Sequence, residues 1–526
     1  MNVTLSDPMV RVDGWNPALD AIGAYTLRKR KTPGEMKEER NIRRAFHDTR
    51  RINPMHYIDC NVIEHVNDNP NVAIFLPGLW PRVKAELDKL GIAYTITDRR
   101  NQAIRPQIDV DALQGVEFRE TQDLALALIA TSDCGVIEAT TAYGKSFLIG
   151  VVCRAFPTLR ILICTSSTTV VSTLYEYLCK QVPGEVGILM GGKDTTMGKR
   201  VVVSTLRSLP KIPREGPQLV LVDECHDVGA TQSGRDLMNF CYARRFGFSA
   251  SPFRNDGSQL VLESLFGPTI LKMTYEEAVN AGMVTPMKYL MLPCRGGPHM
   301  DDNTPDTILK RYSYWANTYR NKVIQALVYD IKNVFDGQIL IMAATLEHCI
   351  LLHQLLPWFT VAYYGNMNME SLRERFPKSK YPNIDLNKYK MKQNDLERMR
   401  NAFAKGTLRY VISTTVFRQG VNFVHLRILI RADGTTSSIA GIQIPGRLSR
   451  LDKDKECAYL IDVEDQFSVW ASNRAKSREK LYKEQKWIKT TKEELLDDLR
   501  RQACRNAGTD TGTGPGQESP GTAAGG

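Results

Sequence analysis

Short apolar runs alternate with stretches of helical spacing along most of this 526-residue chain, and the alternation changes character from one region to the next. Residues 1–27 show no clear period, and the charge pattern from Arg28 to Arg51 predicts an exposed helix. Val72–Leu76 is an apolar run, Leu79, Val83, Leu87 and Leu90 recur at helical spacing, and Ala93–Thr97 is again strand-like. Residues 1–105 therefore read as a small α/β accessory module. Between Phe118 and Leu290 the runs VIEA, ILICTS, VVVST, LVLVDE and FGFSAS are separated by helical stretches. Buried runs spaced this way predict a parallel sheet with helices on both faces, assigned to residues 106–290. Residues 291–325 read as a connector containing Pro, Gly and Asp, and a second block, 326–470, carries ILIMAAT, TVAYYG, YVISTT, RILIRA and AYLIDV. A basic helical extension is expected over 471–506. Residues 507–526, where seventeen of twenty are Gly, Pro, Ser, Thr or Ala, are expected to be disordered. Two similar α/β blocks imply a duplicated architecture.

Composition sharpens this only in part. Hydrophobic residues make up 43% and charged residues 24%, as in ordinary globular proteins, which excludes a collagen-like or mostly disordered chain. No apolar run approaches the ~18–20 residues that span a bilayer, and the first residues carry no apolar signal segment, so no membrane role and a cytoplasmic location are expected. The 11 cysteines show no CxxC pairing and read as reduced thiols rather than a zinc site. The net charge of +11 is concentrated: ten Lys/Arg against four Asp/Glu over 28–51, and eleven against six over 474–505. Two basic flanks around a neutral body suit a polyanion such as nucleic acid, and equally suit two solvated helical faces.

Three motifs carry the chemistry. ATTAYGKS, residues 139–146, follows an apolar strand, and the N–H groups of such a loop can cradle a phosphate chain at a helix N-terminus. Lys145 would reach the outer phosphates and the Ser146 hydroxyl would ligate Mg²⁺, although Ala139 and Ala142 stand where loop glycines are usual. In LVLVDECHD, Asp223 and Glu224 close an apolar strand, placing one carboxylate to hold a metal's water shell and one to align an attacking water. In QIPGRLSR, residues 443–450, Arg447 and Arg450 share a face and could stabilise charge on a transferring phosphoryl group.

In this order, and with further motifs between them, these pieces resemble the superfamily 2 helicases of the DEAH/DECH type over residues 118–465. Phe118-Arg119-Glu120-Thr121-Gln122 is similar to the adenine-reading element, and VVVSTLRSL (201–209) to the strand–Thr–Gln–Ser–Leu segment, with Arg207 in the Gln place. FSASPFR (248–254) is similar to the Ser-Ala-Thr motif, with Ser251 in the Thr place. STTVFRQGVN (413–422) matches a later motif at Gly420 but has Thr415 and Asn422 where acids are usual. The resemblance implies an α/β fold of two tandem RecA-like domains, parallel sheets flanked by helices, that binds ATP and Mg²⁺. It implies adenine contacts from Arg119 and Gln122, and a nucleotide cradle of Thr141, Ala142, Tyr143, Gly144, Lys145, Ser146 and Gly420. Metal would be held by Ser146 and Asp223, with Glu224 as hydrolytic base, Arg447 as an inter-domain finger, and Arg450 and Gln443 beside it. His226, Ser249 and Ser251 would couple hydrolysis to domain motion. Thr205, Thr345 and Thr414 are candidate nucleic-acid backbone contacts.

The closing YLIDVEDQF and SREKLYKEQKW stretches are similar to phage and repair-type branch-remodelling DNA helicases. The expected activity is thus an ATP-dependent DNA helicase or translocase acting on forked, branched or duplex DNA in replication, recombination or repair. It would be phage-encoded, working in the host cytoplasm beside replication or recombination proteins. An RNA helicase of the same superfamily is one alternative, since backbone grip does not separate RNA from DNA unless 2′-hydroxyls are sensed. An ATP-gated DNA clamp or a translocase subunit without unwinding is another.

Overall fold

A computed structural model describes the chain outside residues 7–8, 31–34, 36–37, 40–54, 100–105, 141–142, 229–231, 241, 251–256, 299, 301–303, 364–368, 392, 415–416, 418–422, 437–444, 453–454 and 510–526. Its contacts divide into two compact units. The first takes in Met1–Val284 with two returns of the chain, Phe417–Asn422 and Ser437–Arg450. The second takes in Thr285–Val416, Phe423–Thr436 and Leu451–Gly526.

The first unit opens with strands β1 (Asn2–Leu5), β2 (Val10–Asp13), β3 (Ala24–Arg30), β4 (Met55–Asn61), β5 (Glu64–His65), β6 (Val72–Phe75) and β7 (Thr95–Asp98) and helix α1 (Trp80–Lys89). Five of these strands form one sheet in the order β5-β6-β2-β1-β7, while β3 and β4 form a separate antiparallel ribbon. Val3, Val10, Val12, Phe75, Val83 and Leu87 close the core of this module. The expected helix from Arg28 is not what forms at its start, because Arg28–Arg30 complete β3; most of the remainder lies outside the described residues.

The same unit continues with α2 (Gln122–Thr131), β8 (Cys134–Ala139), α3 (Lys145–Ala155), β9 (Ile161–Thr165), β10 (Val186–Met190), β11 (Lys193–Asp194), β12 (Val201–Thr205), β13 (Leu219–Asp223), β14 (Arg244–Ser249), α4 (Gln259–Phe266) and β15 (Thr269–Met273). Its sheet runs β11-β10-β12-β9-β13-β14-β8-β15, parallel except for the short β10–β11 pair. β9, β13 and β14 are buried along their whole length, the signature of strands covered on both faces. β14 alone separates β8 from β13, so the loops after β8 and β13 open on the same edge two strands apart. The strands that lie between them in the chain stand instead on the far side of β13.

The second unit holds β16 (Met287–Cys294), α5 (Thr318–Lys332), β17 (Gln338–Met342), α6 (Leu346–Leu355), β18 (Thr360–Ala362), β19 (Tyr410–Ser413), β20 (Leu426–Arg431), β21 (Ala458–Asp465), α7 (Val469–Glu484), β22 (Ile488–Lys489) and α8 (Lys492–Thr509). Its parallel sheet runs β18-β19-β17-β20-β21-β16-β22. Two expected boundaries shift. Residues 287–294 are a strand of this second sheet rather than the end of the first block and the start of a linker, because their apolar side chains pair with β21. The extension over 471–506 is two helices with β22 between them, and β22 pairs with β16. Among the described residues no helix is long and apolar enough to cross a membrane.

Candidate active site

The phosphate loop is built from its backbone outward. Gly144 caps α3 at φ 89°, and a β-carbon there would stand 2.9 Å from the Gln122 amide nitrogen, so both conformation and space require glycine. Tyr143, fully buried, directs its hydroxyl at the Thr121 carbonyl oxygen, 3.1 Å away. Thr121 itself is left-handed, at φ 66°. Gln122 is 1% exposed: its Nε2 donates to the Tyr143 carbonyl at 2.7 Å, and its Oε1 accepts from the Arg119 N–H at 2.9 Å. The residue expected to face a base is thus engaged in bracing the loop, while the Arg119 side chain is exposed. Lys145 follows at the first helical position, buried, with Ser146 exposed beside it.

Two strands away, Asp223 ends β13 and Glu224 turns out of it at φ 54°, a strained conformation for a residue with a β-carbon. Across that turn the Glu224 N–H donates to Asp223 Oδ1 at 3.1 Å. Lys145 Nζ lies 3.3 Å from Glu224 Oε1, joining the loop to the acidic pair. Burial, and then the Glu224 charge, push the Asp223 carboxyl up to about 6 against the pull of Lys145. Burial also acts to raise Glu224, but Lys145, His226 and Arg447 outweigh it and hold this carboxyl below its ordinary value. The desolvated Lys145 ammonium is kept above its ordinary value by the same two carboxylates.

His226 is buried with Nδ1 2.9 Å from the Ser249 hydroxyl at the end of β14, and Nε2 3.5 Å from Asp227. Ser166, after β9, donates to the other Asp227 oxygen. Arg447 stands in a short turn, Pro445–Arg447, within the return that clusters with the first unit. Burial pulls the neighbouring Arg450 down to about 10. Thr141, Ala142, Ser251, Gly420 and Gln443 lie outside the described residues. Among the thread of candidate nucleic-acid contacts, Thr205 shares a hydrogen bond with Ser208 at 2.9 Å. Thr345 caps α6 by accepting from the His348 N–H, and Thr414 follows β19, the strand beside β17.

This arrangement fits a nucleotide with a divalent cation. Thr140 Oγ1 in the loop is buried without a hydrogen-bond partner, a cation stands at the helix start, and two adjacent carboxylates repel one another in a buried pocket. Among the described residues no group of three or more His, Cys, Asp or Glu could hold a metal by itself. Asp223 and Ser146 would therefore share the ion with phosphate and water.

Sequence reasoning missed three features. The Gln122 brace and the Ser166–Asp227 link are long-range contacts with no local signal. The third was visible only at Arg431, which ends the apolar run RILIR. In the second unit Arg320 bonds Asp465 at 2.8 Å and the Ala432 carbonyl at 2.7 Å. Arg478 of α7 bonds Asp462 at 2.9 Å, and Arg431 bonds Tyr482 at 2.8 Å and the Thr435 carbonyl at 2.9 Å. These fully buried arginines fix the chain at 432–435, ahead of the segment that carries Arg447. Arg478, counted in the basic flank, is thus turned inward. Lys483 and Lys489 of that flank pair with Glu479.

A parallel sheet with a phosphate loop after one strand and a paired-acid turn two strands away, followed by a second sheet of the same kind, defines a tandem RecA-like nucleotide-binding protein. Residues 112–254 match the family described as type III restriction enzyme, res subunit, and residues 320–452 match the helicase conserved C-terminal domain. The chain belongs to the superfamily 2 helicases. It is 22% identical over 362 residues to a protein named helicase 22 of the Sulfolobus islandicus filamentous virus, covering 62% of this chain and 60% of that one, so it spans less than two thirds of that relative's length. It is 22% identical over 372 residues to the DNA 3'-5' translocase XPB2 of Sulfurisphaera tokodaii, covering 66% of this chain and 81% of the relative. Among solved structures, S. cerevisiae Dbp5 bound to RNA and ADP BeF3 superposes with a TM-score of 0.51 at 14% identity, over 79% of this chain and 99% of that one, a likeness of fold alone.

Proposed function

We propose that this chain is an ATP-driven DNA translocase of the helicase type that remodels forked, branched or duplex DNA. The observation that carries the ATP-hydrolysing part is the contact of Lys145 with Glu224 beside Asp223, under the positive field of Arg447. Lys145 and the loop N–H groups hold the outer phosphates, and Ser146 and Asp223 hold Mg²⁺. Bound Mg²⁺ supplies neutralisation of phosphate charge. Glu224, held ionised by its cationic neighbours, orients the attacking water and accepts its proton. Arg447 and Arg450, with Gln443, stabilise charge at the γ-phosphate. The His226–Ser249 contact, with Ser251 following, relays the state of the acidic turn to the edge of β14.

DNA rather than RNA is favoured by the named activity of the XPB2 relative, and the viral relative supports a phage origin. Thr205, Thr345 and Thr414 sit at the ends of parallel strands, where backbone phosphates can be gripped without reading bases. The reading is tested by displacement of a third strand from triplex DNA, which reports translocation without requiring unwinding. Wild type displaces it with ATP and Lys145→Ala does not; displacement unaffected by Lys145→Ala refutes the reading.

A further inference from the structure

We propose that the β3–β4 ribbon is a strand-separating wedge that meets the junction of single- and double-stranded DNA, an inference that rests on the DNA-translocase reading above. Among the described residues the ribbon pairs with neither neighbouring sheet; its ladder is seven residue pairs, from Ala24–Asn61 to Arg30–Met55. At ~3.4 Å per residue it extends ~24 Å. Isolated two-stranded ribbons are marginally stable, so an exposed one calls for a reason. Tyr57 is 57% exposed and Ile58 42% exposed. Successive strand residues face opposite sides, so neither face is covered at this level. An aromatic and a branched aliphatic side chain, bare on the two faces of a narrow ribbon, are suited to stack on an unpaired base and to part a base pair.

Charge selects the occupant. The two strands hold Arg28, Lys29 and Arg30 against the single acid Asp59, an excess that matches a phosphate backbone and opposes a second copy of the same basic element.

The ribbon is also held firmly and at a telling place. At its base the Asn61 amide donates to the Asp20 carbonyl at 2.8 Å, and the Val62 N–H to the Gly23 carbonyl at 3.0 Å. Midway, the Thr26 carbonyl oxygen abuts Gly257, at φ 84°, where any β-carbon would collide with it. Gly257 lies eight residues after Ser249, the partner of His226 in the acidic turn. The module that bears the ribbon is fastened to α4 of the same unit by a two-pronged Arg82–Glu263 pair at 2.7 Å, and by Gly78 packed against the end of that helix. A wedge so mounted keeps its place relative to the phosphate loop while the strand is drawn past it.

The test uses full-length protein carrying Tyr57→Ala with Ile58→Ser, compared with Tyr57→Phe with Ile58→Leu. ATP hydrolysis stimulated by a single-stranded oligonucleotide is expected to stay within about two-fold of wild type. Separation of a forked duplex is expected to fall at least ten-fold and to return in the conservative pair. A photo-crosslinking phenylalanine at position 57 is expected to attach to nucleotides flanking the fork junction. If the polar pair does not fold, as seen by thermal melting, or if wild type separates no strands, the crosslink decides: attachment at the junction supports the wedge. Attachment to a protein chain, to RNA alone or to duplex remote from the junction overturns it. Unchanged fork separation by the folded polar pair also overturns it. If no DNA stimulates wild-type hydrolysis, the translocase reading itself fails; stimulated hydrolysis with an unaffected variant sinks only the wedge.

Discussion

Replacing Gln122 by alanine removes both braces of the phosphate loop at once. The lost partners are the Tyr143 carbonyl, inside the protein, and the Arg119 N–H, half-buried. A buried polar group left without its partner costs about 1–3 kcal/mol, and the half-buried N–H can recover a water. If that cost falls on the loop conformation that binds phosphate, ATP affinity drops ~5–150-fold. Gln122→Glu should be as damaging at pH 8, since its second oxygen would face the Tyr143 carbonyl, and should recover partly as the pH falls and that oxygen gains a proton. Equilibrium titration with a fluorescent ATP analogue, in a Glu224→Gln background that prevents turnover, reads the effect. Tripolyphosphate as competitor separates the two roles open to this residue. Bracing predicts the same loss for ATP and for tripolyphosphate, which has no base, whereas an adenine contact predicts loss for ATP alone. Binding of both within two-fold of wild type would refute the brace.

Glu224→Gln is expected to lower ATP turnover by ~10²–10⁴-fold in steady-state assays while leaving nucleotide affinity nearly intact, whereas Lys145→Ala weakens affinity as well. Asp223, at about 6 in the folded chain, is raised above the ordinary carboxylate value, so its ionisation opposes folding once pH exceeds that value. Without nucleotide or metal, Asp223→Asn should therefore stabilise the protein by up to about 3 kcal/mol at pH 8, with the advantage fading as pH falls through 6 toward 4; denaturant unfolding at both ends of that range checks it. Arg478→Met strips partners from Asp462 and Asp465, which are 1% and 0% exposed. Leaving a buried ion pair half-made costs ~3–5 kcal/mol, or ~6–20 °C in Tm for a unit of this size, and Asp462→Asn in the same chain should restore part of it in a calorimetric scan.

The strands that carry the chemistry were legible because parallel strands buried on both faces read as unbroken apolar runs: LVLVDE and ILIMAAT register as β13 and β17. The strands that escaped lack that signature or sit in misleading company. β1 and β2 are inner strands of only four residues each, in a half-covered sheet where only alternate positions are buried. β16, MKYLMLPC, follows the first block so closely in sequence that only its pairing with β21 reveals its allegiance. Charge was legible as a total but not as a direction. Arg478 sits in a basic stretch yet turns inward to two aspartates, and nothing in that helical stretch of the sequence tells it from its solvated neighbours. The acidic turn was found, but its mechanics were not: that Glu224 adopts a left-handed backbone, and that Gln122 reaches the carbonyl of Tyr143, are consequences of packing across distant segments.

The central claim, that this site hydrolyses ATP to drive movement on DNA, is tested most directly by ATP turnover of the full chain. Single-stranded DNA, duplex, a fork, a four-way junction and single-stranded RNA would be compared side by side, with Glu224→Gln as the control. The account predicts strong stimulation by DNA, greatest with fork or junction, weak stimulation by RNA, and none in the variant. Stimulation by RNA alone, or turnover that persists in Glu224→Gln, would contradict it.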